Sequence, residues 1–154
     1  MAKAIFAAGC FWGVEDAFRR LPGVTDTSVG YTGGHTDAPT YKEVCGHRTG
    51  HVEAVEVEFD PEQISYQRLV ERFFAFHDPT QLNPQGPDVG DQYRSAIFVR
   101  DLAQQAVAAE AKARVAAASH RPVVTAIEPA TTFWRAEEYH QQYVEKRGAG
   151  SCRM

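Results

Sequence analysis

The sequence predicts an α+β fold in which helices cover a mixed β-sheet as a two-layer sandwich. Three observations predict it. Apolar residues alternate with polar ones in some segments and recur at helical spacing in others. Strands and helices mix along the chain without strict strand–helix–strand repetition, and 154 residues with 44% hydrophobic content fit a single domain, residues 1–154.

The first half of the chain predicts three strands and one helix. A short apolar run predicts a buried strand at 3–8, and apolar residues at helical spacing predict a helix at 10–21 that a Pro-Gly pair ends. β-branched residues predict a strand at 24–32, and strict alternation predicts another at 51–59. Between them, a polar segment carries one helical turn near 41–44.

The second half adds three helices and two strands. Apolar spacing over 64–77 predicts a helix closed by an Asp-Pro pair, and a strand follows at 95–99. An alanine-rich helix covers 102–119, a β-rich run spans 122–127, and a last helix covers 136–146. We expect this order to build a ferredoxin-like core, with a flexible glycine-containing tail from about 147 to 154.

Charge and composition exclude some classes of function. The net charge of −4 argues against a general grip on nucleic acid, which needs a basic face. No apolar run is long enough for a membrane span, and the N-terminus lacks the apolar stretch of a signal peptide. The three cysteines are odd in number and widely spaced, which fits a reducing compartment such as the cytoplasm.

Cys10 is the first candidate for chemistry. It follows an apolar segment and opens a predicted helix, and a helix N-terminus favours the thiolate that acts as a nucleophile. The alternative is that all three cysteines are small buried apolar residues, the commoner fate of this residue type.

Glu53 is the second candidate. On a strand it shares a face with Val55, Val57 and Phe59, so its carboxyl is expected to be partly desolvated. Desolvation raises the pKa of a carboxyl, and a neutral acid can donate a proton. The alternative places Glu53 at the open, solvated end of the strand.

The other two cysteines have open roles. Cys152, in the glycine-flanked tail, is either a thiol that resolves a sulfenic acid on Cys10 or a spare exposed thiol. Cys45 is expected to be buried. Together with His47 and His51, Cys45 lacks the paired spacing of a zinc site, so no metal and no cofactor are expected.

Irregular segments hold further polar candidates. Tyr41 and Tyr93 can each donate a hydroxyl to a substrate oxygen, although packing is the usual fate of a lone tyrosine. Asp88 lies in a long aperiodic loop, from 78 to 94, and loops of this length are commonly functional.

Five segments together resemble the A-type peptide-methionine sulfoxide reductases. They occur in the family's order and span nearly the whole chain: GCFWG (9–13), TYKEVC (40–45), TGHVEAV (49–55), PDVGDQYRS (87–95) and AEEYHQQY (136–143).

The resemblance implies roles for these residues. Cys10 would attack the sulfoxide sulfur, Glu53 would protonate the leaving oxygen, and Tyr41 and Tyr93 would hydrogen-bond it. Asp88 would order the polar network. Phe11 and Trp12 would enclose the substrate methyl group.

The resemblance also implies a cycle and its partners. Cys10 becomes a sulfenic acid, Cys152 converts it into a Cys10–Cys152 disulfide, and thioredoxin reduces that disulfide. The substrate is methionine S-sulfoxide in oxidised proteins or peptides, with the free amino acid as a further candidate, and the activity is protein repair under oxidative stress. We expect a monomer with no nucleic-acid or membrane partner.

Two other classes of function remain open on the sequence. One is a binding module that holds an oxidised or thioether side chain without turnover. The other is a zinc-dependent protein that uses Cys45, His47 and His51.

Overall fold

Six strands form one mixed sheet in the computed structural model, which describes residues 1–46, 48–81 and 91–147. The strands are β1 (Ala2–Ala8), β2 (Val24–Thr32), β3 (Val52–Phe59), β4 (Ser95–Val99), β5 (Ala126–Pro129) and β6 (Trp134–Arg135). The helices are α1 (Phe11–Arg19), α2 (Tyr41–Cys45), α3 (Tyr66–Phe76), α4 (Leu102–Ala118) and α5 (Tyr143–Arg147). Two 3-10 turns span Asp91–Tyr93 and Glu138–His140.

The strand order is β5-β4-β1-β3-β2-β6. All neighbours are antiparallel except β4 and β5, which run parallel. The central order β4-β1-β3-β2, with α1 following β1 and α3 following β3, is the split βαβ arrangement of a ferredoxin-like core. The predicted α+β fold with a mixed sheet is therefore confirmed. Because β1 lies between β3 and β4, the chain that leaves its end emerges at the middle of the sheet.

The two faces of the sheet are covered differently. On one face, α1, α3 and α4 pack over the sheet, and Phe6 of β1 stacks on Phe18 and Phe73 with ring centroids 4.9 and 5.3 Å apart. On the other face lies a smaller apolar cluster against which Phe133 packs, in the segment before β6. No helix in the described ranges has the length and apolar character that crossing a membrane requires.

The predicted helix at 136–146 is wrong. The chain forms a 3-10 turn at Glu138–His140, breaks, and then forms the short α5. The break occurs because the Gln141 side chain turns back to the backbone of Val29 and Ala136, and Gln142 adopts a left-handed φ of 52°.

The strand expected over 122–127 is also displaced. β5 covers Ala126–Pro129, since the backbone before it turns away and the Val124 N–H bonds the Pro79 carbonyl at 2.8 Å. The two-residue β6 has no sequence signal of its own. It is defined by pairing with Gly30 and Tyr31 of β2.

We predict that Gly30→Ala destabilises the fold by about 1–3 kcal/mol. A Cβ at Gly30 would lie 2.4 Å from the Trp134 carbonyl oxygen and 2.7 Å from the Phe133 ring, so β6 would have to shift. Urea unfolding measures the change, with Ser28→Ala on the same strand as the control. Equal free energies of unfolding for the two variants would contradict the close approach.

Candidate active site

Cys10 lies where the central strand β1 passes into α1. β1 ends at Ala8, and Gly9 takes a φ of 100°, a left-handed conformation that suits glycine. Cys10 is the N-cap of α1, its side chain makes no capping bond, and the residue is 8% exposed. The sulfur therefore lies at the positive end of the α1 dipole, an environment that favours an anion.

Glu53 joins β3 to the start of this helix. Its Oε1 accepts the backbone N–H of Phe11, the residue after Cys10, at 3.2 Å, and Glu53 is 1% exposed. It lies on the helix-covered face with Val55 and Val57, as the alternation predicts, and the solvated alternative is wrong. A buried carboxyl is thus fixed next to the residue that carries the sulfur.

Tyr41 packs against the helix-covered core, and both Glu53 and Tyr93 are close enough to affect its hydroxyl. Burial raises the pKa of Tyr41 well above its ordinary value of 10, and the neighbouring Glu53, Tyr93 and Cys45 raise it further. Tyr41 therefore keeps its proton at neutral pH and can donate it in a hydrogen bond. Tyr93 ends the 3-10 turn Asp91–Tyr93 and is half-buried.

Cys45 lies near Tyr41 and Glu53, but its surroundings make its thiol a weak nucleophile. It carries a free, half-buried thiol, so the expected burial is only partly met. Burial raises the pKa of this thiol and the neighbouring Glu53 raises it further, while hydrogen bonds with Tyr41 and Gln92 lower it. A raised pKa leaves less of the reactive thiolate.

A second carboxylate, that of Glu137, fixes the positions of Tyr31 and Tyr41 through hydrogen bonds. Its Oε1 accepts the Tyr31 hydroxyl at 2.8 Å, and its Oε2 accepts the backbone N–H of Tyr41 at 3.0 Å. Burial alone raises the pKa of Glu137, but these bonds outweigh it and hold the pKa below 4.5. An ionised carboxylate therefore ties the end of β2 to the start of α2, and with it the position of Tyr41.

Aromatic rings surround Trp12. Its indole stacks on Tyr143 with centroids 3.8 Å apart and planes 9° from parallel. Its Nε1–H donates to Nδ1 of His140 at 2.9 Å. His140 is 1% exposed and also contacts Phe11 and Tyr41, at centroid distances of 5.2 and 4.5 Å. A packed aromatic cluster of Phe11, Trp12, His140 and Tyr143 therefore adjoins Cys10.

Sequence reasoning gave no role to Tyr31, Glu137, His140 or Tyr143. Three of them belong to the segment AEEYHQQY, which contributed to the resemblance only as a block. The pairing of an acid with aromatic rings in this segment was the available signal. The contact of Glu137 with Tyr41 crosses 96 residues of chain, however, and that of His140 with Trp12 crosses 128.

Several sequence-predicted residues lie outside the described residues, namely Asp88, Cys152 and His47. Within the described ranges no cluster of three or more His, Cys, Asp or Glu residues could hold a metal ion. Both ring nitrogens of His51 face backbone groups: Nδ1 accepts the Gly34 N–H at 3.0 Å and Nε2 lies 2.7 Å from the Thr36 carbonyl oxygen. A metal would have to displace one of these contacts.

We predict that His140 is mostly neutral at pH 6.5. Burial lowers its pKa below the ordinary 6.5, although the Glu137 charge opposes this. Between the folded and the unfolded pKa of His140, the unfolded chain binds more protons than the folded chain. The stability that burial of neutral His140 contributes is therefore present above pH 6.5 and is lost as the pH falls through the folded pKa. Long-range ¹⁵N NMR of the ring measures the midpoint.

The control for this titration is His140→Phe, which keeps a ring and removes the titrating group. It is expected to abolish this part of the pH dependence of unfolding. A midpoint at or above 6.5 would contradict the neutral acceptor role of Nδ1 toward the Trp12 indole.

Comparison with known proteins gives a consistent result. The family model described as peptide methionine sulfoxide reductase matches residues 2–154. A peptide methionine sulfoxide reductase MsrA from Methanoculleus marisnigri is 57% identical over 155 residues, covering 99% of this chain and 94% of the relative.

Solved structures agree. The crystal structure of Mxr1 from Saccharomyces cerevisiae in reduced form superposes with a TM-score of 0.91 at 38% identity, covering 97% of this chain and 87% of that one. Mxr1 in complex with Trx2 superposes with a TM-score of 0.66 at 25% identity, covering 92% and 84%. With a family model that spans all but the first residue, this chain belongs to the peptide methionine sulfoxide reductase family.

Proposed function

We propose that this chain reduces methionine S-sulfoxide in peptides and proteins to methionine, with Cys10 as the nucleophile. The observation that carries the proposal is the bond from the Phe11 N–H to Glu53, which fixes a buried carboxyl beside the helix start that holds the sulfur. The name and high identity of the Methanoculleus marisnigri relative support the substrate class. Free methionine sulfoxide is a second candidate substrate, because its reacting sulfoxide is the same.

The first step transfers oxygen to Cys10. The Cys10 thiolate attacks the sulfoxide sulfur and forms an S–S bond while Glu53 protonates the oxygen. The resulting hydroxyl group then passes from the substrate sulfur to the Cys10 sulfur, and the electron pair of the S–S bond returns to the substrate sulfur. Burial favours the neutral form of Glu53 that this step needs. Overall, two electrons pass from the Cys10 sulfur to the substrate sulfur, methionine leaves, and the oxygen remains on Cys10 as a sulfenic acid. The hydroxyls of Tyr41 and Tyr93 donate hydrogen bonds to this oxygen.

In this proposal the aromatic cluster around Trp12 forms a slot for the methyl group of the substrate. Phe11 and Trp12 supply apolar surface at the start of α1, next to the attacking sulfur. A methyl slot on one side and oxygen donors on the other distinguish the two configurations at sulfur, which accounts for a preference for the S epimer. Asp88 orders the polar network in this proposal.

The second step regenerates the thiol. The Cys152 thiol attacks the Cys10 sulfenic acid, water leaves, and a disulfide forms. A dithiol reductant of the thioredoxin class then reduces the disulfide by thiol exchange. The existence of a structure of Mxr1 in complex with Trx2 supports this class of partner. A cycle driven by such a reductant fits repair of oxidised proteins in the cytoplasm.

We predict that Glu53→Gln slows methionine formation in a single turnover by about 100-fold or more, the usual contribution of a general acid. The glutamine oxygen can still accept the Phe11 N–H, so substrate binding should change little. Rapid quenching with a methionine S-sulfoxide peptide measures the rate, and Cys10→Ser should form no methionine.

Glu56→Gln is the matched control. Glu56 lies on the same strand and pairs with Lys3 at 3.8 Å on the surface, so its variant should react at the wild-type rate. A Glu53→Gln rate within twofold of wild type, with Cys10→Ser inactive, would remove Glu53 as the acid.

We predict that Cys152→Ser completes one turnover and then stalls with thioredoxin as the reductant. The sulfenic acid forms on Cys10, but no tail thiol converts it into the disulfide that thioredoxin attacks. Steady-state assays with thioredoxin measure the loss, and Cys45→Ser, with its high-pKa thiol removed, should cycle normally. Normal cycling by Cys152→Ser would instead assign resolution to Cys45 or to direct attack by the reductant.

A further inference from the structure

Glu15 is a buried carboxyl that the proposed reaction does not use. It lies on α1, three residues after Trp12, and it is 1% exposed. Its Oε2 accepts the Thr27 hydroxyl at 2.8 Å, and its Oε1 accepts the backbone N–H of Gln142 at 2.7 Å. Burying a carboxyl costs desolvation free energy even when it is hydrogen-bonded, so the burial of Glu15 on this helix indicates a specific role.

The residue that Glu15 holds is strained. Gln142 has a φ of 52°, a left-handed conformation that a non-glycine residue keeps only when its surroundings enforce it. The preceding residue is anchored as well, because the Gln141 amide bonds both the N–H and the carbonyl of Val29 in β2 at 2.9 Å. Two successive residues are therefore fixed, one to the sheet and one to α1.

These two anchors lie between the rings that contact Trp12. His140 precedes them and accepts the indole N–H, and Tyr143 follows them and stacks on the indole face. A reversal of the chain at Gln142 is what allows both rings to reach one indole. The bond from Glu15 stabilises this reversal from the same helix that carries Trp12.

We propose that Glu15 is a positioning residue: its carboxyl fixes the backbone at Gln142 so that His140 and Tyr143 hold the Trp12 indole in its substrate-binding orientation. The substrate part of this inference rests on the proposed function. The geometric part concerns the indole alone and is independent of turnover.

Two variants separate the hydrogen bond from the rest of the side chain. Glu15→Leu fills the space and accepts no hydrogen bond. Glu15→Gln can accept the Gln142 N–H through its oxygen and donate its amide to the Thr27 hydroxyl, so it should behave like wild type. If Glu15→Leu does not fold, Glu15→Asp replaces it, because the shorter carboxyl cannot reach Gln142 and should loosen the indole in the same direction.

The first measurement is hydrogen exchange of the Trp12 indole N–H by NMR, which needs no substrate. We expect exchange at least tenfold faster in Glu15→Leu and near the wild-type rate in Glu15→Gln. Leu69→Ala is the control, since it weakens the core through α3, a helix that carries none of the residues that hold the indole. Wild-type exchange in Glu15→Leu, or equally fast exchange in Leu69→Ala, would overturn the proposal.

The second measurement is steady-state reduction of a methionine S-sulfoxide peptide. A misplaced slot weakens binding in the ground state and the transition state alike, so Glu15→Leu should raise KM about tenfold while kcat changes less than threefold. Glu15→Gln should restore KM. An unchanged KM in Glu15→Leu would overturn the substrate part. A wild-type protein without reductase activity would refute the proposed function, and the exchange measurement would still decide the role of Glu15.

Discussion

The hydrogen bond between the Phe11 N–H and the Glu53 carboxyl is the contact on which the site depends. One partner belongs to the first turn of α1 and the other to β3, which lies between β1 and β2 in the sheet. Because both elements are packed in the core, the fold itself sets the separation of sulfur and acid. The backbone donor also offsets part of the cost of burying the carboxyl.

The same kind of contact, in which a glutamate oxygen accepts a backbone N–H at a helix start, occurs twice more around the site. Glu137 accepts the N–H of Tyr41 at the start of α2, and Glu15 accepts the N–H of Gln142 just before α5. A carboxyl oxygen at the start of a helix satisfies a donor that the helix leaves open and matches the sign of its dipole. Three glutamates thus accept backbone N–H groups at three helix starts, and the aromatic side chains between them acquire fixed orientations.

The sequence allowed the positions of Cys10 and Glu53 to be predicted because its signals are local. The strand-to-helix change placed Cys10 at a helix start, and the alternation in β3 placed Glu53 on the covered face. The segment after β6 could not be predicted in this way. Its apolar spacing suits a helix, but contacts of Gln141 with Val29 across 112 residues of chain hold it in another conformation, and no sequence window contains both partners.

The central claim is that the fold delivers the sulfur of Cys10, and not that of Cys45, to an oxidised thioether. The direct test is to mix the protein with one equivalent of a methionine S-sulfoxide peptide, without reductant, and to locate the oxidised sulfur by peptide mass spectrometry. The account predicts one equivalent of methionine, with oxidation at Cys10 as a sulfenic acid or a disulfide. Methionine formed with Cys10 unmodified, or no methionine from the intact protein, would contradict it.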